Sequence, residues 1–146
     1  MKPGGNAMVE IIAGEKGKGK TKHLLDRVNG AVPNSNGNIV YLDKSQKHMY
    51  ELSNKVRLIN VSEFPIEDCD EFIGFICGII SQDHDLEEMY LDSFLTISNV
   101  KDDELGHAIE KLDSISAKYD VKMTLSISKN EADFPESAKS KIVVSL

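Results

Sequence analysis

The residues with the clearest chemical signature form a glycine- and lysine-rich segment near the start of the chain. Residues 14–21 read Gly-Glu-Lys-Gly-Lys-Gly-Lys-Thr and match the pattern G-x-x-x-x-G-K followed by Ser or Thr at every defined position. Glycines let the main chain bend so that several amide N–H groups converge on phosphate oxygens. A helix that begins at the end of the segment would add the positive end of its dipole at the same point. The segment therefore predicts binding of a polyphosphate.

Several side chains of the segment have a predicted role in that chemistry. Lys20 would bridge the β- and γ-phosphates as a point charge, and the Thr21 hydroxyl would be a Mg²⁺ ligand. Lys16, Lys18 and Lys22 make the loop locally basic. The alternative, a lysine-rich surface loop, is disfavoured because the motif lies between a predicted strand and a predicted helix. The predicted phosphate-binding residues are Gly14, Glu15, Lys16, Gly17, Lys18, Gly19, Lys20, Thr21 and Lys22.

A nucleotide site of this kind also needs a carboxylate for the metal at the end of another apolar strand. Asp92 follows Met-Tyr-Leu at positions 89–91, and Asp43 follows Ile-Val-Tyr-Leu at positions 39–42. We favour Asp92 because its strand lies between two long predicted helices and is expected near the centre of the sheet, with Asp43 as the competitor. Lys20 and Asp92 are thus the predicted catalytic residues, and Thr21 and Asp92 the predicted metal ligands.

Alternating apolar runs and helical periodicities indicate the elements that must position these residues. Strands separated by helices of the predicted lengths imply parallel pairing with right-handed crossovers. The expected fold is α/β, a three-layer sandwich with a five- or six-stranded, mainly parallel sheet. Strands are predicted at 8–13, 38–42, 56–61, 89–91, 121–127 and 142–145, and helices at 21–28, 46–53, 67–81, 102–118 and 135–139.

The helix predicted at 67–81 is apolar on nearly every side, which indicates a deeply packed helix. Gly74 and Gly78 lie four residues apart on it, so another element is expected to approach its backbone closely. Cys69 and Cys77 have neither Cys-x-x-Cys nor metal-like spacing. We interpret both as buried free thiols, which suits a reducing cytoplasm.

Composition and charge restrict the classes of function. The chain has 146 residues, with 17 basic and 24 acidic side chains and a net charge of −7. This acidic balance argues against nucleic acid as a ligand. The longest apolar run, about nine residues, is too short to span a membrane, and no secretory signal is visible, so a soluble cytoplasmic protein is expected. Polar residues 1–7 are predicted to be a tag or disordered start, and residues 8–146 a single domain.

Residues 14–21 and 89–92 together resemble the Walker A and Walker B motifs of the P-loop NTPase superfamily. Their order is similar to the additional-strand division, which includes RecA-like and ABC ATPases and in which residues 121–130 would form the polar-tipped strand. Residues 9–24 and 70–78 also resemble small stand-alone bacterial ATP-binding proteins sometimes labelled twitching-motility ATPase-like. The resemblance covers most of residues 8–146, and it implies a P-loop NTPase fold with ATP and Mg²⁺ as cofactors.

Departures from the ATPase pattern shape the expected function. Ser93 stands where many such ATPases place a catalytic glutamate, no Leu-Ser-Gly-Gly-Gln signature occurs, and only Arg27 and Arg57 are available as arginine fingers. The resemblance therefore implies an ATP-binding protein that is a slow or partner-dependent NTPase or a nucleotide switch. A small nucleotide or metabolite kinase and a non-catalytic, nucleotide-dependent interaction module are the alternatives. Besides a nucleoside triphosphate, the expected partners are a second copy of the chain or an unidentified protein.

The choice between adenine and guanine nucleotides rests on a motif that the chain lacks. The base-reading sequence Asn-Lys-x-Asp of G proteins does not occur. This favours ATP over GTP. Two polar residues beyond the late strand, Ser128 and Asn130, are further candidates for contact with the γ-phosphate.

Overall fold

The computed structural model describes residues 8–146 and contains a six-stranded sheet in which every pair of neighbouring strands is parallel. This confirms the predicted α/β fold with a mainly parallel sheet, at the upper of the two expected strand numbers. The prediction of a tag or disordered start concerns residues 1–7, outside the described range. In the spatial order β3-β2-β4-β5-β1-β6, the strands are β1 (Val9–Gly14), β2 (Asn38–Asp43), β3 (Val56–Asn60), β4 (Leu86–Leu91), β5 (Lys122–Ser128) and β6 (Ile142–Ser145).

Helices cover both faces of the sheet and complete the three layers. One face packs against α1 and the other against α2, α3, α4 and α5. No helix within residues 8–146 is long and apolar enough to cross a lipid bilayer. The helices are α1 (Lys20–Ala31), α2 (Cys69–Ser81), α3 (Phe94–Ser98), α4 (Leu105–Tyr119) and α5 (Glu136–Lys139).

Side chains that alternate along the strands build a separate core on each face. Ile11 and Leu125 point to the face covered by α2 and α4 and are fully buried there. Ile12 points the other way and packs with Leu24 and Val28 of α1. Burying one such aliphatic side chain contributes about 1.5–3 kcal/mol, so the two cores hold the layers together. The two faces of the sheet are thus occupied by the cores, and the candidate site lies at the carboxyl ends of the strands.

The strand order brings three chemically important segments to one edge of the sheet. The glycine-rich loop follows β1, Asp43 ends β2, and Asp92 follows β4. Strand β5 lies between β1 and β4, and the connection from β1 to β2 therefore crosses over two strands. In open α/β sheets, ligands bind outside the carboxyl ends of the strands where the strand order reverses.

Two local elements differ from the expectations, each for an identifiable reason. The helix predicted at 46–53 is wrong, because only a short 3₁₀ turn forms at Met49–Glu51. The Asn29 side chain donates to the Glu51 carbonyl oxygen and accepts from the Ser53 amide, so these backbone groups are bonded to a side chain. Helix α3 was not predicted, since its β-branched residues are typical of extended chain.

Helix α2 is buried on one side only. It begins after Asp68, whose carboxylate accepts a capping hydrogen bond of 2.9 Å from the Glu71 amide. Gly74 and Gly78 face open space among the described residues, so the predicted close approach of another element is wrong there. Cys69 is buried and Cys77 half-buried, and both are free. The prediction of free thiols is confirmed for both cysteines, and the prediction of burial is confirmed for Cys69 only.

Gly74 gives a direct test of that open side. Because a glycine inside a helix costs about 0.5–1 kcal/mol relative to alanine, Gly74→Ala is expected to raise the free energy of unfolding by that amount in urea titrations. Gly37→Ala is the contrasting variant, because its Cβ would collide with the carbonyl oxygen of Asp85 and should lower stability. A lower free energy of unfolding for Gly74→Ala than for the native protein would contradict the open space beside this face of α2.

Candidate functional site

The loop between β1 and α1 has the backbone conformation that its glycines were expected to allow. Gly17 and Gly19 have φ angles of 86° and 91°, which side chains with a Cβ rarely adopt. Gly19 directly precedes the first residue of α1, and its carbonyl oxygen accepts from the His23 amide at 3.2 Å. The main chain of the loop therefore lies at the N-terminus of α1, the positive end of the helix dipole, which is a favourable place for an anion.

Neighbouring segments anchor the base of this loop. The Gly14 amide donates to the Lys129 carbonyl oxygen at 3.1 Å, and the Asn130 side chain donates to the Glu15 carboxylate at 2.5 Å. A Cβ added to Gly14 would lie 3.0 Å from the Cβ of Leu146, so the chain after β6 also approaches closely. These contacts fix the loop before any ligand arrives, which lowers the entropy cost of binding.

Lys20 folds back over the loop. Its Nζ donates to the Glu15 carbonyl oxygen at 2.9 Å, and the residue is only 8 % exposed. Burial lowers the pKa of the Lys20 ammonium group, and the nearby Asp92 carboxylate offsets part of this effect. The cation is thus poorly solvated and holds one carbonyl partner, for which phosphate oxygens can compete.

Asp92 accepts hydrogen bonds from three separate elements and is 1 % exposed. Its Oδ1 accepts from Thr21 at 3.2 Å and from Ser126 at 2.7 Å, and its Oδ2 accepts from the Tyr41 hydroxyl at 2.7 Å. Burial, followed by the negative charge of Asp92, raises the pKa of Tyr41 far above its ordinary value, so Tyr41 stays a donor. The network fixes the carboxylate beside the first turn of α1.

A second hydrogen bond of Ser126 shapes the turn after Asp92. The Ser93 amide donates to Ser126 Oγ at 2.8 Å, and Ser93 has a φ of 56°. Such a left-handed conformation is costly outside glycine and is often found at functional sites. It turns the chain into α3, which brings Ser93 and Thr96 to the cavity. Sequence reasoning missed this role of Ser126, although a serine among the apolar residues of β5 was a usable signal.

Asp43 differs sharply from Asp92 in its bonding. It is 2 % exposed, and its Oδ1 accepts from the Lys44 amide at 2.7 Å. Its Oδ2 is buried and has no hydrogen-bond partner among the described residues. Burial is the main cause that raises the pKa of the Asp43 carboxyl, and the Asp92 charge adds to it. A buried, unpaired carboxylate oxygen is expensive and marks a candidate functional group.

A cavity of about 430 Å³ opens between the loop, Asp92 and α3. Of the nine predicted phosphate-binding residues, Lys16, Gly17, Gly19, Lys20 and Thr21 line it. The remaining four do not, and the Lys22 ammonium group instead lies 3.7 Å from the Asp26 carboxylate. The other lining residues are Lys44, Asp92, Ser93, Leu95, Thr96, Ser126 and Ser128.

The donor set at the cavity fits a magnesium ion. The Thr21 hydroxyl and the Asp92 carboxylate present hard oxygen atoms, and Mg²⁺ usually combines one or two protein oxygens with phosphate and water oxygens. Within residues 8–146, no group of three or more His, Cys, Asp or Glu side chains could hold a metal by itself. The donors present therefore suit an ion shared with a bound phosphate.

Neither arginine lines this cavity. Arg27 lies 3.4 Å from the Glu10 carboxylate, and Arg57 belongs to β3 at the edge of the sheet. Glu88 accepts from the Tyr90 hydroxyl at 2.6 Å, within β4. Asp43 ends β2 without lining the cavity, and Lys44, directly after it, does line the cavity.

Comparison with known proteins finds a related fold among solved structures. No protein-family model matches the sequence, and no curated protein matches it. Among solved structures, the flagellar accessory protein FlaH from Methanocaldococcus jannaschii is similar, with 16 % sequence identity and a TM-score of 0.50. The match covers 91 % of this chain and 65 % of the FlaH chain, which is less than two thirds of that protein's length. The likeness supports a P-loop NTPase-like fold.

Proposed function

We propose that the protein binds ATP with Mg²⁺ on residues 14–21 and hydrolyses it slowly or uses it as a switch. The observation that carries the proposal is the 3.2 Å contact between the Thr21 hydroxyl and the Asp92 carboxylate, which are 71 residues apart in the sequence. The two groups were expected to serve the same ion, and both line the cavity above the loop. This contact favours Asp92 over Asp43 as the carboxylate on the metal side.

The phosphates are bound by groups that need little rearrangement. Amides of the loop and the start of α1 would donate to the β- and γ-phosphates, and Lys20 would exchange its bond to the Glu15 carbonyl for phosphate oxygens. When bound, Mg²⁺ neutralises charge on the same phosphates. Ser128, at the end of β5, lines the same cavity and would be a further donor.

Asp43 takes the part of the carboxylate that the sequence lacks after Asp92. The Asp92 amide donates to the Leu42 carbonyl oxygen at 2.9 Å, so the ends of β2 and β4 lie side by side. Asp43 Oδ2 is buried without a partner among the described residues, and Asp43 directly precedes Lys44, which lines the cavity, so a rotation of the Asp43 side chain would bring this oxygen to an attacking water. A raised pKa also brings this carboxyl closer to the pH at which a general base is most effective.

Several finer assignments belong to the same proposal. The position of β5 between β1 and β4 supports the additional-strand division of P-loop proteins. The lack of Asn-Lys-x-Asp supports adenine over guanine. Two free cysteines fit a reducing cytoplasm. A second copy of the chain or another protein would then respond to the bound nucleotide.

Magnesium dependence tests the Thr21–Asp92 assignment. Calorimetric titration of the native protein with ATP should show tighter binding with Mg²⁺ than with excess chelator. In Thr21→Ala and Asp92→Asn, the ratio of the ATP dissociation constants without and with Mg²⁺ should be about tenfold smaller than in the native protein. Each substitution removes an oxygen from the donor set. Thr21→Ser keeps the hydroxyl and is the matched control, expected to retain the gain. An undiminished gain in Thr21→Ala would remove this residue from the metal site.

A small kinase is the second candidate, because another cavity adjoins the first. It has a volume of about 190 Å³ and shares Lys44 and Thr96 with the phosphate cavity. Its other walls are mostly apolar, so an acceptor molecule could bind beside the terminal phosphate. Coupled assays of ATP consumption, with and without nucleosides and nucleoside monophosphates, separate the two functions. A kinase consumes ATP only when its acceptor is present. The remaining lining residues are Val61, Ser62, Phe64, Ile66, Ile97 and Asn99.

A further inference from the structure

An apolar patch surrounds Phe64, outside the residues assigned to phosphate and metal. Phe64 is 46 % exposed and lines the second cavity, of about 190 Å³. Its ring also contacts the ring of Phe75 on α2, with the two centroids 5.1 Å apart. The apolar surface therefore extends from the cavity to α2. We call it the Phe64 patch, and it consists of Val61, Phe64, Ile66, Phe75 and Ile97.

Hydrogen bonds fix the main chain that carries Phe64. The Phe64 amide donates to the Val61 carbonyl oxygen at 3.1 Å, and the Ile66 carbonyl oxygen accepts from the Asn99 side chain at 2.8 Å. Helix α2 begins soon afterwards, capped by Asp68. A surface that is fixed before binding loses little conformational entropy when a partner docks. Exposed aromatic side chains in such a setting are typical anchors of protein interfaces.

The segment that carries the patch is acidic. Residues 61–81 contain five acidic side chains and no basic one. Glu63 and Glu67 are exposed, and each directly adjoins a residue that lines the cavity. Glu71 is exposed on α2, four residues before Phe75, and this spacing places both residues on the same side of the helix. The patch therefore combines an apolar surface with neighbouring negative charges.

We propose that the Phe64 patch docks a basic segment of a partner protein. The segment would place a large apolar side chain in the second cavity and Lys or Arg side chains beside the neighbouring carboxylates. Apolar contact supplies the affinity, and complementary charge selects and orients the partner. Because Lys44 and Thr96 line both the second cavity and the phosphate cavity, the docked segment would border the phosphate site. This docking surface goes beyond the proposed nucleotide function and does not require it.

Charge argues against the other occupants of the patch. In a symmetric dimer the same patch of two copies meets itself, so its carboxylates would face like charges. Nucleic acids and anionic membranes carry the same negative sign. A small molecule in the second cavity would leave Phe75 uncovered, because Phe75 does not line that cavity. A basic protein segment matches both the apolar and the acidic parts of the surface.

Peptide selection tests the docking surface without knowledge of the partner. Short random peptides displayed on phage would be selected on the immobilised native protein, with counter-selection on Phe64→Ser. The recovered peptides should carry an excess of Lys and Arg together with a large apolar residue. In fluorescence anisotropy, the tightest of them should bind Phe64→Ser at least about tenfold more weakly than the native protein, because the substitution removes the central anchor.

Two further variants separate the docking surface from a loss of folding. Tyr119→Ser removes an aromatic residue of similar exposure, 44 %, at the end of α4, and it should bind the peptide like the native protein. The double variant Glu63→Lys with Glu67→Lys keeps both phenylalanines and should weaken binding about fivefold or more through charge alone. Higher salt should weaken peptide binding to the native protein and affect the double variant less.

Four results would overturn the inference. The selection yields no peptide that distinguishes the native protein from Phe64→Ser, the recovered peptides are acidic or uncharged, or the double variant binds them as tightly as the native protein. The fourth is a native dimer in light scattering that Phe64→Ser converts to a monomer, which would assign the patch to a second copy of the chain. Titration with Mg²⁺-ATP is a separate measurement, so failure here leaves the proposed function standing.

Discussion

Asp43→Asn should remove most ATP hydrolysis and leave Mg²⁺-ATP binding within about threefold of the native value. Loss of a general base typically slows a reaction by about 10²–10⁴-fold, and the buried Oδ2 of Asp43 has no partner among the described residues that would occupy it. Asparagine keeps the shape and the Lys44 amide contact at Oδ1. Single-turnover release of phosphate gives the rate, and calorimetry gives the affinity.

Asp103→Asn is the matched control for this variant. Asp103 is an exposed carboxylate in the 3₁₀ turn before α4, and its replacement should leave both rate and affinity unchanged. A native hydrolysis rate in Asp43→Asn would show that another group positions the water. Loss of ATP affinity without a change in rate at saturation would assign Asp43 to binding instead.

The same substitution should stabilise the protein at neutral pH. Burial, with a further contribution from Asp92, raises the pKa of folded Asp43 above the value of about 3.9 in an unfolded chain. The folded state therefore holds this proton more tightly, and stability falls as pH rises from the unfolded pKa through the folded one. Asp43→Asn avoids that cost, so its Tm should exceed the native Tm by a few degrees at pH 7. The difference should shrink below about pH 4, and a lower Tm at pH 7 would contradict the assignment.

Lys20→Ala should weaken Mg²⁺-ATP binding by about 100-fold or more. The substitution removes the one buried cation at the mouth of the loop among residues 8–146 and its charge-assisted bonds to phosphate, each worth about 1.5–3 kcal/mol. Because Lys20 also bonds to the Glu15 carbonyl oxygen, thermal unfolding of the variant is recorded alongside the titration.

Lys18→Ala is the control for charge alone. Lys18 is exposed in the same loop and does not line the phosphate cavity, so its loss should change the affinity by no more than about threefold. Equal losses in both variants would mean that the loop attracts nucleotide through its total charge. The specific role of Lys20 would then be wrong.

The loop and the sheet were predictable because their signals are local. The spacing of Gly17, Gly19 and Lys20 is set by one turn of main chain, and alternating strands and helices leave parallel pairing as the simple solution. The apolar residues of β1 and β4 likewise predict strands that end at the site. Local pattern was sufficient to place Thr21 and Asp92 at the same edge.

The remaining features depend on contacts between distant segments. Tyr41 and Ser126 hold Asp92 from different strands, and nothing in the sequence near Asp92 indicates either partner. The Asn29 side chain bonds the backbone of Glu51 and Ser53. Residues 46–53, whose sequence predicts a helix, therefore form only the 3₁₀ turn Met49–Glu51. The unpaired oxygen of Asp43 follows from burial alone, and burial depends on the assembled sheet.

Amide chemical shifts report directly whether the main chain of residues 14–21 surrounds the phosphates. Two-dimensional NMR spectra of the labelled protein would be recorded during titration with Mg²⁺-ATP. The largest shifts should belong to the amides of Gly17, Gly19, Lys20 and Thr21, with smaller shifts at Asp92 and Ser93. Spectra that stay unchanged, or that change only away from the carboxyl edge of the sheet, would contradict this placement of the phosphates.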